Sequence, residues 1–550
     1  INVDAAEVAH LLADETANRL TISDQKITVT GAISVDNANL LGATTTGVVT
    51  ATIDTTETVT ELATLSADGG TNALTVVIRA GDATGATAAQ LNTINDATSV
   101  AVDLTNVTAL AASSLSDLGT LATAITNNEF QNDDGLTTIA VSDATIDATT
   151  LAARIDSFDT ISGGSSNTGM TLAAGATINV DSGEIAHMLA DETAGRLTIS
   201  DQKITVNSAG TITVDTANLL AATTTGVITA SITTTETVDE LQTLTGTGNA
   251  YTIAIRAGDA TNSTAAEFNA INNKTTVAVD MGNVTALTAS SLSDLGTLAT
   301  AITNNEFSND TGLTTIAVSD NTIDATTLAA RIDSFDTISG GSSNTGMTLA
   351  AGATINVDSG EIAHMLADET AGRLTISDQK ITVNSAGTIT VDTANLLAAT
   401  TTGVITASIT TTETVDELQT LTGTGNAYTI VIAAGDATGS TASEFTAING
   451  KTTVAVDASA VTGLNSDNIT NIQTLLTAGN DTNQFTNTSF GSLTAVTVSD
   501  ANLDGSKLAD AIDQAIIATS NTNTVFTISD ATTITGSEAN FTALLTDETN

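Results

Sequence analysis

Three histidines stand in one sequence context. His10, His187 and His364 each follow a glutamate by three residues, as Glu7/His10, Glu184/His187 and Glu361/His364. On a helix, Glu-x-x-His is the ligand spacing of carboxylate di-metal bundles, which also need further glutamates converging in one core. These copies lie 177 residues apart, so a solvated or capping histidine is the expected role. Aspartate is the second candidate. Asp82, Asp103, Asp143 and Asp147 fall at predicted strand ends, and Asn132-Asp133-Asp134 is the densest local acidic cluster. Calcium takes six to eight oxygens, which Asp, Asn and backbone carbonyls supply. Calcium at Asp82, Asp103, Asp133, Asp134, Asp143 and Asp147 is thus the one cofactor the residues suggest. Neither an EF-hand loop nor a Gly-Gly-x-Gly-x-Asp nonapeptide occurs, and helix caps and turns account for most of these aspartates equally well.

No catalytic constellation emerges. A serine or threonine triad lacks a base, because the histidines are one repeated position. Trp is absent, and with it the usual sugar platform of a glycosidase cleft. Gly81-Asp82-Ala83-Thr84-Gly85 has no following Lys and is not a phosphate loop. Arg154, near Asp156 and Asp159, is expected to form a structural ion pair. The chain is not expected to be an enzyme.

The elements that hold these residues are organised by a repeat of 177 residues. Ile1-Asn2-Val3-Asp4 returns as Ile178-Asn179-Val180-Asp181 and as Ile355-Asn356-Val357-Asp358, and Thr145 to Ile253 is identical to Thr322 to Ile430. The repeats run 1–177, 178–354 and 355–533, the third diverging after about residue 439. A fourth start spans 534–550, where Phe541, Leu544, Leu545, Asp547 and Thr549 keep the pattern. Residue 1 falls inside a repeat phase, as expected of a piece of a longer array. Within each repeat an apolar residue and an Asp precede another apolar residue by fixed spacing: Val3-Asp4 with Val8, Val35-Asp36 with Leu40, Val102-Asp103 with Val107, Ile146-Asp147 with Leu151, and Leu503-Asp504 with Leu508. This predicts a strand entering a short helix, with Asp as N-cap and the apolar pair as a staple. Strands are predicted at Leu20–Ser23, Thr75–Ile78, Ser99–Val102 and Thr138–Val141, and helices at Ser114–Ile125 and around Leu151, Ile155 and Phe158. Loops are predicted at Asp68-Gly69-Gly70 and Gly163-Gly164-Ser165-Ser166-Asn167.

About six such units per period average about 30 residues each. That length, repeated in one direction, predicts a mainly β fold: a parallel β-solenoid of short strands with short capped helices. At about 4.8 Å per coil, about 18 coils would span about 90 Å. Tandem β-sandwich modules, two per repeat, are the competing architecture.

Composition agrees with stacked strands. The hydrophobic fraction is 41% and aromatics only 2%, with no Trp, two Tyr and ten Phe, so the core is thin and aliphatic. Pro is absent, which leaves every backbone N–H available to a strand ladder. Cys is absent too, excluding disulfides and thiolate chemistry. A net charge of −49 opposes nucleic acid and anionic membrane surfaces as partners, and no apolar run is long enough for membrane insertion.

Stretches such as TITVDTANLLAATTTGVITAS and TTIAVSDATIDATTLAARIDSF resemble the Thr/Ala/Asp/Asn-rich repeats of giant bacterial surface and matrix proteins of the cyanobacterial type. Many members of that group leave the cell by type I secretion. The resemblance, in composition and repeat style, implies an extracellular or cell-surface location and a structural, adhesive or biofilm-matrix role. The expected function is a rod or filament (surface layer, matrix fibre or adhesin stalk) that self-associates as a homopolymer through end coils, with surface glycans as further partners. A carbohydrate-binding or polysaccharide-cleaving β-helix of tail-fibre type, and a beaded adhesin, are the alternatives.

Overall fold

The computed structural model describes residues 1–66, 72–161, 169–338, 346–519, 524–528 and 533–547. The loops expected at 68–70 and 163–167, and Thr549 of the fourth repeat start, lie outside the described residues. The chain forms two compact units. One comprises Ile1–Arg256 with Ala270–Val279, the other Ala257–Asn269 with Asp280–Asn550.

In the first unit each strand pairs in parallel with the strand one coil later. The strands Thr145–Asp147, Thr177–Val180, Lys203–Val206 and Ile228–Ile232 form one ladder. Its register aligns Ile146, Ile178, Ile204 and Ile228. A second ladder runs through Ala109–Ser113, Thr138–Val141, Gly169–Leu172 and Leu197–Thr198, aligning Leu110, Ile139, Met170 and Leu197. Every one of these eight side chains is buried. The ladders follow from residue type: β-branched residues at alternating positions put one apolar column inward while Thr faces out. No coil could bury its own apolar edge; the next coil does so. The second unit repeats the arrangement, with Ile323, Ile355, Ile381 and Ile405 as the inner column.

The strand pairs described are parallel, unlike the antiparallel pairs of sandwich modules. Among the described residues no closed barrel forms. Helices alternate with the strands, at about 37% helix and 24% strand, so the fold is a parallel strand–helix alternation in which helix outweighs strand, and "mainly β" is too narrow a description. The Ser114 helix is found at Leu115–Thr126 and the Leu151 helix at Ala148–Ile161. Thr138–Val141 is a strand as expected, but regular pairing at Ser99–Val102 begins only at Val102, and Leu20–Ser23 is not a strand.

The expected Asp caps hold at Asp4, Asp147 and Asp504 and need correction at Asp36 and Asp103. Ser34, Ser114 and Thr213 cap their own helices, each hydroxyl accepting the N–H three residues on. Asp36 sits inside the first turn instead. Asp103 is followed by a turn and a strand, not a helix. Asp4 accepts from the Ala6 N–H, and Asp147 and Asp504 accept from Thr150 and Ser506.

A second cap comes from the following coil. The Leu115 N–H donates to Asp143 Oδ2 at 2.8 Å, the Val59 N–H to Asp82 Oδ2 at 2.8 Å, and the Ala88 N–H to Ser113 Oγ at 2.9 Å. In the second unit Leu292 donates to Asp320 Oδ2 at 2.8 Å and Ile469 to Asp500 Oδ2 at 2.6 Å. Each helix start has orphan N–H groups, and here the neighbouring coil satisfies the first of them.

Close stacking also constrains the backbone. A side chain on Gly226 would overlap the Gln202 carbonyl of the preceding coil, as would one on Gly403 at Gln379. Glycine at these positions lets two coils approach. In the diverged part of the third repeat, Phe490 packs against Phe445 and Phe485 with ring centres 5.8 and 5.1 Å away.

Candidate functional site

Four of the six aspartates considered for calcium are occupied as hydrogen-bond acceptors. Asp82 takes the Val59 N–H and the Arg79 Nε, the latter at 2.9 Å. Asp143 takes the Leu115 N–H, and Asp147 the N–H and hydroxyl of Thr150, both at 2.9 Å. Asp103 accepts from the Thr105 N–H and hydroxyl and from Asn132 Nδ2. Burial works to raise its carboxyl, but these hydrogen bonds prevail and hold it below the ordinary value. The Asn132 contact brings the Asp133–Asp134 loop beside the Asp103 turn. Burial, with the adjacent Asp134 charge, pushes Asp133 up. Among the described residues no three His, Asp or Glu side chains converge as a metal site.

The titratable groups that do converge lie between two helices that sequence reading treated separately. These are α1 (Ala148–Ile161) and α2 (Ile185–Thr193) in the first unit, and their copies α3 (Ala325–Ile338) and α4 (Ile362–Thr370) in the second. Leu151, Ile155 and Phe158 turn one face of α1 inward, and Ile185 and Met188 do the same for α2. This packing carries Asp191 inside, where it is 1% exposed.

Arg196, at the end of the α2 coil, bonds Asp191 Oδ1 and reaches across to Asp159 on α1 at 2.8 Å, with Asp156 at 3.9 Å. Asp191 Oδ2 has no hydrogen-bond partner. Burial pushes the Asp191 carboxyl up, against the pull of Arg196 and His187. The hydrogen bond to Asp159 pushes the Arg196 guanidinium further up. Thr149 Oγ1 donates toward both oxygens of Glu184, at 2.8 and 3.0 Å. Between the helices lies a cavity of about 180 Å³, lined by Leu151, Ile155, Glu184, His187, Met188 and Asp191. The second unit has the same cavity, about 100 Å³, with Glu361, His364 and Asp368. In the first repeat the corresponding Asp14 and Arg19 pair at 2.6 Å, with side chains 49% and 69% exposed.

Two expectations change here. Arg154 does not pair with Asp156 or Asp159. Its Nε donates to the Leu115 carbonyl at 3.0 Å, and its guanidinium lies over Gly119 on the neighbouring helix. There it borders an open polar groove of about 510 Å³ with Asn92, Asn95, Ser116, Thr120 and Glu129. The histidines are half-exposed, as a solvated role requires, but His187 and His364 also face a buried carboxylate. The signal was present as Asp four residues after His, on the same helical face.

The two tyrosines, Tyr251 and Tyr428, are fully buried, and burial pushes their hydroxyls up to about 12. They are neutral near neutral pH and remote from solvent. No helix among the described residues is long and apolar enough to cross a membrane. No protein-family model matches the chain, and no curated protein matches it significantly.

Proposed function

We propose that this protein is an extracellular structural protein, a parallel β-solenoid whose stacked coils build a rod or filament at the cell surface or in a matrix. The observation that carries the reading is the repeated coil-to-coil bonding. Strand ladders, inter-coil helix caps and an inner aliphatic column recur from one coil to the next and return in the next 177-residue repeat. Such an array gains length by adding coils, each stabilised by its neighbours. Composition supports an exported location: a Cys-free, acidic, Thr-rich chain of the style found in giant bacterial surface proteins. Polymerisation proceeds through the same edge pairing, because an unpaired coil edge is a template for another.

The carbohydrate reading has less support. Sugar platforms require exposed aromatics, and Tyr251, Tyr428, Phe158, Phe268, Phe335 and Phe445 are all fully buried. Among the described residues only Phe541, at 40%, is a markedly exposed aromatic.

Surface labelling of intact cells, with electron imaging of the material they display, tests the reading. Antibody decoration of continuous fibres outside the cell is expected. Decoration confined to the cell interior, or isolated flexible beads, would overturn it.

A further inference from the structure

We propose that Arg154 and Arg331 anchor two sites for a carboxylate-bearing sugar, the uronate of an acidic glycan. This goes beyond the structural reading and does not depend on it.

The first observation is a cation without an acid. The chain has 13 basic residues against 62 acidic ones, yet among the described residues Arg154 and Arg331 form no ion pair. Each donates through Nε alone, to the Leu115 carbonyl at 3.0 Å and the Leu292 carbonyl at 3.1 Å. That bond pins the guanidinium over Gly119 and Gly296, where a Cβ would overlap it. The two terminal nitrogens find no acceptor among the described residues. A pinned guanidinium with open ends presents the bidentate fork that a carboxylate fits.

The second is the groove. Arg154 borders about 510 Å³, within the size range of small-molecule sites. Asn95, Ser116, Thr120 and Thr123 line it as well, and amides and hydroxyls match the hydroxyls of a sugar. The anchor is a charge-assisted hydrogen-bond pair, not an aromatic platform. The groove's acid, Glu129, accepts from Asn95 and Asn127. Asn127 lies eight residues beyond Gly119 at the end of the Leu115–Thr126 helix, about 12 Å along it. That exceeds the screening length of about 8 Å at physiological ionic strength. A phosphate brings up to about two charges where a uronate brings one, and one guanidinium balances one.

The third is the comparison among repeats. The second unit keeps Arg331, Gly296 and Asn269, the last bonded to the Asp294 carbonyl at 3.0 Å as Asn92 is to that of Asp117. In the diverged third repeat these positions hold Ala511, Gln473 and Thr446. Helices Ile469–Gly479 and Gly505–Thr519 still pack together there. Coil stacking therefore does not require the arginine.

The test is equilibrium dialysis of the full chain against radiolabelled digalacturonate. Chelator is present, so that no divalent cation bridges sugar and protein. Two sites per chain are expected, with the uncharged dimethyl ester about tenfold weaker or more. Arg154→Met keeps the stem over Gly119 and leaves one site; adding Arg331→Met leaves none, with far-ultraviolet circular dichroism unchanged. Arg154→Lys keeps the charge without the fork and weakens the first site about tenfold, which holds the test open if the methionine variants do not fold. Equal binding of acid and ester, or a capacity unchanged in the double variant, would overturn the proposal. So would displacement of the sugar by an equal concentration of inorganic phosphate, which marks a bare-anion site. Absence of binding, with chain association that the double variant abolishes, would give the guanidinium to a carboxylate of a second copy and overturn it too.

Discussion

Gly119 and Arg154 occupy one another's space. A methyl on Gly119 would overlap the guanidinium, which is fixed by its bond to the Leu115 carbonyl. Replacing a helical Gly by Ala gains about 1 kcal/mol of helix propensity, but here the gain is opposed by the displaced arginine. Gly119→Ala is therefore expected to stabilise by about 1 kcal/mol in an Arg154→Ala background and by clearly less in the unsubstituted chain. Hydrogen exchange of the Leu115–Thr126 amides measures both. This pair was illegible in the sequence because the bond that places Arg154 over Gly119 goes to Leu115, 39 residues away. Asp156 and Asp159 looked like the natural partners by proximity along the chain. Helix geometry points them at Arg196 instead, 37 residues on from Asp159.

At the scale of the element, the inter-coil caps distinguish this chain from a set of independent helices. Asp143→Ala removes the cap on Leu115 and is expected to cost about 1 kcal/mol, seen as faster exchange at the start of that helix. Asp134→Ala, in the exposed loop, leaves the same amides unchanged.

The capping boxes set a pH dependence. Glu61, Glu240 and Glu417 each accept the N–H of the Thr three residues earlier, and that backbone bond, aided by the Thr hydroxyl, holds each carboxyl below its ordinary value. A carboxyl lowered in the folded state adds stability above its unfolded pKa, about 4.3. That stability is lost as pH falls through the lower folded value. Acid is thus expected to loosen the helices Val59–Leu62, Val238–Leu241 and Val415–Leu418. Glu240→Gln should flatten the response of the second helix alone, read from its amide exchange between neutral pH and pH 3. The existence of short helices after short strands was legible from spacing. Which residue caps them was not: Ser114, Thr213 and Asp147 serve their own helix, whereas Ser113, Asp82 and Asp143 serve the preceding one, so residue type alone does not distinguish the two roles.

At the scale of the whole molecule, the 177-residue period and the absence of Pro were the strongest signals, and both concern backbone continuity. A chain with no Pro keeps every N–H for a ladder, and the parallel pairings in each unit use them. The balance of helix over strand was harder to read, because helix-forming Ala and Leu are interleaved with strand-favouring Thr, Val and Ile along the chain. Length and charge would then serve a fibre: −49 keeps the surface soluble while the inner aliphatic columns, Ile146 to Ile228 and Ile323 to Ile405, hold the coils together.

Diffraction from aligned fibres of the protein tests that claim most directly. Coils stacked along the fibre place the strands across it, so a reflection at about 4.8 Å is expected along the fibre axis. A 4.8 Å reflection perpendicular to the axis, or specimens that yield only separate compact particles and no fibre, would contradict the account.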